Sequence, residues 1–259
     1  MKRWECGFSA LMQTVVVALI AGASAAADYT PYLRIDLEYQ ITDWSDGTGV
    51  TVGGSPTYYA DGPAVADTGV VSYHGAAARA KGRADYGSLG LYTQVAPAAN
   101  ISTYAGGTVL FSDKLTITNP ALNGQTGYLD VWVDVEGQIQ GAIQHPGVSA
   151  GATWQVCLLD DYSSAIEHWD YNANAGREEY HGYLAQKRSF VYGQPFELAI
   201  QFGASSNNAG PLADYFNTMT FSLADSRVLT ASGALVDLAD CQVMSMSGHD
   251  YLVPEPATV

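Results

Sequence analysis

The strongest constraint on the fold of this chain is a hydrophobic period of two residues that recurs along it. Apolar side chains occupy Leu33, Ile35, Leu37, Tyr39 and Ile41, with polar residues between them. The same alternation returns in residues 129–135, 196–202 and 219–223. Because successive side chains of a strand point to opposite faces, this pattern predicts strands with one dry and one wet face. No segment has the apolar spacing of an amphipathic helix, so the sequence predicts an all-β protein.

Shorter strand candidates are residues 70–73, 89–95, 109–117, 153–159 and 235–246. Turn dipeptides separate them, namely Asp46-Gly47, Gly53-Gly54, Gly106-Gly107, Asn123-Gly124 and Asn207-Asn208. Half-polar strands joined by short turns favour antiparallel sheets, and two such sheets must stack to bury every apolar face. We therefore predict a single antiparallel β-sandwich, jelly-roll-like, over residues 28–250. The Gly/Ala-rich segment 62–107 is predicted as long connections or irregular edge strands.

The charge of the chain excludes one class of partner. The 259 residues contain 11 Lys+Arg and 26 Asp+Glu, for a formal net charge of −15. So few cations cannot supply the phosphate contacts on which nucleic-acid binding depends, and an acidic surface repels nucleic acid. The apolar content of 47% is nevertheless sufficient for one substantial core.

The N-terminus predicts export. Lys2 and Arg3 precede a charge-free run over residues 6–27, which ends in alanine-rich small residues. This is the pattern of a secretory signal peptide, here residues 1–27, with cleavage after Ala25 or Ala27. The alternative is an uncleaved membrane anchor, because the run is almost long enough to span a bilayer.

The predicted export changes the number of cysteines in the mature chain and favours a disulfide. Removal of residues 1–27 leaves two, Cys157 and Cys241, and an even number in an exported chain favours a disulfide between them. The alternative is two buried free thiols. A bridge over so long a loop would stabilise the fold by roughly 4–5 kcal/mol in the chain-entropy treatment.

The C-terminal sequence carries a family resemblance. The sorting motif consists of Val253, Pro254, Glu255, Pro256, Ala257 and Thr258. It resembles the start of the PEP-CTERM sorting signal of exported proteins in Gram-negative bacteria that make extracellular polysaccharide. The resemblance implies export, recognition by an exosortase, and a place at the cell surface or in the extracellular matrix. We assign residues 251–259 to this signal and expect it to be truncated, because the family continues with an apolar anchor helix and a basic tail.

One predicted strand presents a candidate glycan-binding face. Its polar side holds Tyr128, Asp130, Trp132, Asp134 and Glu136, opposite a row of apolar residues. Aromatic rings can stack on sugar rings while carboxylates accept hydrogen bonds from hydroxyl groups. The alternative is that these residues are ordinary cross-strand pairs of a sheet.

An acidic cluster is a candidate for weak calcium binding. It contains Asp160, Asp161, Glu167 and Asp170, and carboxylate oxygens are the ligands that Ca²⁺ prefers. Their spacing matches no calcium-loop template, so a solvated loop is the favoured interpretation. A second, similarly weak candidate is the turn that contains Asp43 and Asp46.

Two functions remain open. We favour a non-enzymatic exported protein with a structural or glycan-binding role in a biofilm or exopolysaccharide matrix, with no catalytic residue and no cofactor. The alternative is a secreted carbohydrate-active enzyme with a carboxylate pair on a jelly-roll scaffold. The sequence Gly147-Val148-Ser149-Ala150-Gly151 matches a nucleophile elbow formally, but the strand predicted after it is inconsistent with the helix that such a motif requires.

Overall fold

A computed structural model describes residues 29–96, 98–140, 151–158, 166–170, 177–183, 186–208 and 212–253. The described residues from Pro31 to Val253 belong to one compact unit. Its first ten strands are β1 (Tyr32–Asp43), β2 (Val50–Gly54), β3 (Thr57–Ala60), β4 (Ala64–Asp67), β5 (Val71–Tyr73), β6 (Ala76–Asp85), β7 (Ser88–Ala96), β8 (Ile101–Thr118), β9 (Thr126–Val131) and β10 (Val133–Gln140). The next nine are β11 (Gly151–Leu158), β12 (Ile166–Asp170), β13 (Arg177–Tyr183), β14 (Gln186–Val191), β15 (Phe196–Asn207), β16 (Leu212–Phe221), β17 (Arg227–Thr230), β18 (Leu235–Val236) and β19 (Gln242–Ser245).

The strands form three sheets, and every described strand pairing is antiparallel. Sheet A has the order β12-β11-β15-β8-β1-β2, with β3 beside β1 and β19 beside β8. Sheet B has the order β13-β10-β16-β7-β6-β4, with β5 beside β6. Sheet C is smaller and has the order β14-β9-β17-β18. The predicted all-β antiparallel fold is confirmed.

The core lies between sheets A and B, and sheet C contributes to it. On β1, Leu33, Ile35 and Leu37 are buried while the residues between them are not. Aromatic rings of the two large sheets meet in the interior, where the centroids of Phe202 and Tyr215 lie 5.9 Å apart. Burial of a large apolar side chain stabilises a fold by about 1.5–3 kcal/mol, so the alternating strands supply the main driving force for the sandwich.

A hydrogen bond between two buried hydroxyl groups connects the two large sheets. Thr93 of sheet B and Ser206 of sheet A are both buried, and their hydroxyl oxygens lie 2.7 Å apart. Because an unsatisfied polar group is costly in the interior, this hydrogen bond fixes the two sheets against each other.

Two segments predicted as single strands each divide between sheets. Residues 129–135 keep their predicted alternation, since Leu129, Val131, Val133 and Val135 are all buried. The chain nevertheless leaves sheet C after β9 and enters sheet B at β10, with Trp132 between them. Likewise, residues 235–246 form β18 in sheet C, a short 3-10 helix (Leu238–Asp240) and β19 in sheet A.

The Gly/Ala-rich segment 62–107 contains β6, an interior strand of sheet B, and not only connections or edge strands. Its alternate residues Ala76, Ala78, Ala80 and Ala84 are buried. The reason for their small size is close approach of the sheets, because a Cβ at Gly82 would lie 2.5 Å from Ile35 Cγ2. Larger side chains at this face would be overpacked.

The predicted disulfide is wrong. Cys241 is a free thiol. Cys157 of β11 pairs with Gln201 of β15, which in turn pairs with Leu110 of β8. Cys241 directly precedes Gln242 of β19, which pairs with Thr118 of β8. Those two β8 positions are separated by roughly 26 Å along the strand. A disulfide requires Cα atoms about 4.4–6.8 Å apart, so this fold keeps the two cysteines from bonding.

Candidate functional site

The predicted glycan-binding face lies on two different sheets. Tyr128 and Asp130 belong to β9 of sheet C, whereas Asp134 and Glu136 belong to β10 of sheet B. Trp132 lies between the strands, half-buried, and its backbone N–H donates to Ser226 Oγ at 3.0 Å. The five residues do lie on the side away from the buried row, as the alternation predicts, but they do not form one flat sheet surface.

Neighbouring cations already contact the β9 part of this face. The Nζ atom of Lys187 lies 5.6 Å from the centroid of the Tyr128 ring. Asp130 is in register with Lys187 on one side and with Arg227 on the other. A cation over an aromatic face is an attractive pair in its own right. The Tyr128 ring is therefore less available to a sugar than the sequence pattern suggests.

The calcium candidate is only partly within the described structure. Asp160 and Asp161 lie outside the described residues. The backbone of Glu167 and Asp170 belongs to β12, at one end of sheet A. In the described part of the chain, no group of three or more His, Cys, Asp or Glu residues is placed to hold a metal ion. Calcium binding stays a prediction.

The second acidic candidate is used by local hydrogen bonds. Asp43 accepts a hydrogen bond from the Ser45 amide at 2.8 Å, and its other oxygen lies 2.6 Å from His74 Nδ1. Asp46 accepts from the Thr48 amide at 2.9 Å. The amide contacts are turn chemistry, whereas His74 is distant in sequence. Hydrogen bonds from His74 and then Ser45 lower the pKa of Asp43, and those from Thr48 lower the pKa of Asp46, because they stabilise the ionised form.

The sorting motif is described only at its first residue. Val253 is exposed, and residues 254–259 lie outside the described structure. Two residues upstream, Tyr251 is buried in the core. Tyr251 was predicted as the first residue of the sorting segment, but its side chain belongs to the folded domain.

A buried carboxylate secures this C-terminal segment. Asp113 of β8 accepts hydrogen bonds from the Ser247 hydroxyl at 2.6 Å and from the Tyr251 hydroxyl at 3.0 Å. The amides of Ser247 and Lys114 donate to its other oxygen. Burial, followed by the charge of Asp113, raises the pKa of Tyr251, so its hydroxyl stays protonated and can donate. The motif therefore follows a segment that is tied to the core.

The outer face of sheet A holds an aromatic group that the sequence pattern did not reveal. We call Tyr59, Tyr32, Arg34 and Asp36 the Tyr59 cluster. Tyr59 of β3 is 62% exposed and is in register with Arg34 of β1. The Arg34 guanidinium carbon lies 5.7 Å from the Tyr59 ring centroid, and the Tyr32 ring lies 6.5 Å from it. An exposed ring is thus held between a second ring and a cation.

Asp36 orders the polar part of the Tyr59 cluster. Its carboxylate forms an ion pair with Arg34 Nε at 2.7 Å. It also accepts hydrogen bonds from the hydroxyls of Thr57 at 2.7 Å and Thr108 at 3.3 Å. These partners lie on β3 and β8, on either side of β1, and strand register brings them together. The cluster is preorganised, which reduces the entropy lost when a ligand binds.

The sequence contained a weak signal for the Tyr59 cluster. Arg34 and Asp36 were already placed on the polar side of the predicted strand 33–41. Tyr58 and Tyr59 lie in none of the predicted strands, because β3 is only four residues long and shows no alternation of apolar and polar side chains.

Comparison with known proteins leaves the family open. No protein-family model matches this chain, and no curated protein matches its sequence. The described residues contain no helix that is long and apolar enough to cross a membrane.

Proposed function

We propose that this protein is an exported cell-surface or extracellular-matrix protein that binds polysaccharide through the Tyr59 cluster. The observation that carries the proposal is the exposed Tyr59 ring, held in place beside the Arg34–Asp36 ion pair. The C–H faces of a sugar ring stack on an exposed aromatic ring, as apolar surfaces do. Its hydroxyls hydrogen-bond to carboxylate and guanidinium groups of the kind beside Tyr59.

The burial pattern around the ring supports this role. Exposed aromatic residues carry a disproportionate share of binding energy when neighbouring groups fix their position. Tyr59 has such neighbours on β1, whereas Tyr58, the next residue, faces the other side of β3. Tyr58 is also exposed, at 43%, which makes it a matched control on the same strand.

Affinity electrophoresis of the chain from residue 28 onward tests the proposal. Neutral polymers (hydroxyethyl cellulose, laminarin, dextran and galactomannan) are cast separately into native gels. We expect at least one of them to retard the protein. Tyr59→Ala should weaken that retention at least about tenfold, the loss typical of an anchor residue, while Tyr58→Ala retains it. Equal retention of both variants, or no retention of the parent protein, would contradict the proposal.

A secreted carbohydrate-active enzyme is the second candidate, because two carboxylates neighbour each other on the same face. Asp36 and Glu38 are two positions apart on β1, which separates their Cα atoms by roughly 7 Å. The carboxyl groups of a glycosidase pair stand about 5–9.5 Å apart, a separation that two side chains with this Cα spacing can reach. Release of reducing ends from a polymer that retains the protein would favour this candidate, and intact polymer would favour pure binding.

The proposed route to the cell surface uses the C-terminal motif and an exosortase. Its support is the position of the motif directly after the segment that Asp113 secures. In the native host, replacing Pro254, Glu255 and Pro256 by alanine should leave an unprocessed precursor in the membrane fraction. Normal release of that variant would contradict the sorting proposal without affecting the glycan-binding one.

A further inference from the structure

The outward side of β1 continues well beyond the Tyr59 cluster. We call Tyr32, Arg34, Asp36, Glu38 and Gln40 the β1 outer row, because they lie on the side of the strand opposite the buried Leu33, Ile35, Leu37 and Ile41. Thr42, the next residue of this parity, is buried. Trp44 follows at the end of the row. From Arg34 to Trp44 the chain extends for roughly 33 Å at the rise of a β-strand. This length greatly exceeds that of one or two sugar rings.

A second aromatic side chain lies near the middle of the row. Tyr104 of β8 is in register with Gln40, and its ring folds over Gly106, where a Cβ would collide with the Tyr104 hydroxyl. Ser205 of β15 forms a side-chain hydrogen bond with Tyr104. Burial raises the pKa of Tyr104, and the Glu38 carboxylate raises it further, so the phenol remains a neutral donor. Glycine and serine keep the floor of this face shallow.

Trp44 provides a fixed ring at the far end. Its indole packs over Gly49, whose φ of +73° allows a left-handed turn, and a Cβ at that position would lie 2.6 Å from Trp44 Cζ3. The Trp44 amide donates to the Asn100 carbonyl at 3.0 Å. The side chain is still 56% exposed. One side of the ring is therefore supported by the protein while much of it remains open to a ligand.

The charge of the face restricts the ligand. Arg34 compensates Asp36, but Glu38 has no cationic partner in the β1 outer row. Glu197 adds a carboxylate beside Ser112, whose hydroxyl donates to it at 2.8 Å. The whole chain carries a net charge of −15. Glycans with carboxylate, sulfate or phosphate groups are repelled by such a surface, whereas neutral hydroxyl-rich ones are not.

We infer that the outer face of sheet A binds one linear glycan without acidic groups, laid along β1 from the Tyr59 cluster past Tyr104 to Trp44. The inference rests on the proposed polysaccharide binding and specifies its ligand. The exposed rings at the two ends stack on separate sugar rings of the same chain. Asp36, Glu38 and Gln40 accept hydrogen bonds from the hydroxyls between them.

The test combines two variants with ligands of different length and charge. The acidic polymers alginate, polygalacturonate and hyaluronan are added to the neutral gel series. Size-fractionated oligosaccharides of the neutral polymer that retains the protein are then titrated calorimetrically. We expect retention by a neutral polymer and none by the acidic ones. Trp44→Ala should lose about tenfold or more in affinity for the polymer and long oligosaccharides, with no change for the disaccharide.

The results separate this inference from the proposed function. If Tyr59→Ala abolishes binding while Trp44→Ala leaves it intact at every ligand length, the extended path is wrong and the Tyr59 cluster alone binds. Preferential retention by an acidic polymer would overturn the inferred ligand class. If the parent protein binds nothing, both proposals fail. Val65→Ala, at an exposed apolar residue of sheet B, is the control for loss of a surface side chain.

Discussion

The Asp113 carboxylate is buried and receives four hydrogen bonds from backbone and side-chain donors. Tyr251→Phe removes one donor and leaves the others in place. We expect this change to lower the free energy of unfolding by about 1.5–3 kcal/mol, the usual contribution of one hydrogen bond to a charged group. Chemical denaturation measures the effect.

The corresponding control is Tyr58→Phe, because the Tyr58 side chain is exposed. Its free energy of unfolding should stay within about 0.5 kcal/mol of the parent value. Asp113→Ala should cost more than Tyr251→Phe, since it leaves several buried donors unsatisfied. An Asp113→Ala variant as stable as the parent protein would contradict the proposed role of this carboxylate.

Asp43 gives the fold an acid-sensitive contact. The hydrogen bond with His74, together with those from Ser45, lowers the pKa of Asp43 to about 2, compared with an ordinary value of about 3.9. A lowered carboxyl pKa stabilises the folded state fully above about pH 4, and this contribution is lost as the pH falls toward 2. In Asp43→Asn, the midpoint of unfolding should therefore change less with pH between about pH 4 and pH 2 than it does in the parent protein.

Measuring the midpoint of urea unfolding from pH 5 to pH 2 checks this expectation. His74→Ala should also weaken the dependence of the unfolding midpoint on pH, because it removes the hydrogen bond that contributes most to the lowered pKa of Asp43. A pH dependence that matches the parent protein in both variants would show that the Asp43–His74 contact does not contribute to acid stability.

At the scale of elements, close approach of strands determines where glycine is required. A Cβ at Gly90 of β7 would collide with the backbone carbonyl oxygen of Phe216, on β16 beside the irregular stretch of that pairing. Gly90→Ala should therefore cost about 1–3 kcal/mol of unfolding free energy, as overpacking does. A Cβ at Gly62 meets nothing within 4 Å, so Gly62→Ala should be nearly neutral. Thermal unfolding of the two variants measures the difference, and equal midpoints would contradict it.

Element boundaries show what a linear pattern leaves undetermined. The alternation in residues 129–135 correctly predicts which side chains are buried, since all four apolar residues lie in the core. The alternation does not reveal that the chain changes sheet at Trp132, because every second residue is buried both before and after the change. Similarly, Gly106-Gly107 is not the predicted turn but the middle of β8, where Tyr104 occupies the space above Gly106.

For the whole molecule, the fold predicts that stability is independent of reducing agent. The registers of sheet A separate Cys157 from Cys241, and Cys241 is a free thiol. Dithiothreitol should therefore leave the unfolding midpoint of the chain unchanged, whereas loss of a disulfide over this loop would cost about 4–5 kcal/mol. A lower midpoint under reducing conditions, absent in Cys241→Ser, would contradict the separation of the two cysteines.

Only part of the Tyr59 cluster could be predicted from the sequence. The two-residue period of β1 predicts that Arg34 and Asp36 lie on its polar side. Strand pairing then brings Tyr59, Thr57 and Thr108 next to them, and the sequence does not predict this pairing. Register between strands distant in sequence depends on the packing of the whole sheet, which local patterns do not encode.

The sequence alone therefore determined the class of this protein: an all-β chain of antiparallel strands, with the buried side of its main strands readable from the two-residue period. It determined these because burial of apolar side chains follows local alternation. Only the tertiary structure decided which strands pair, where the chain changes sheet, that the cysteines stand apart, and that Tyr59 meets Arg34 and Asp36. These depend on contacts between distant segments, whose geometry is fixed when the two large sheets pack together.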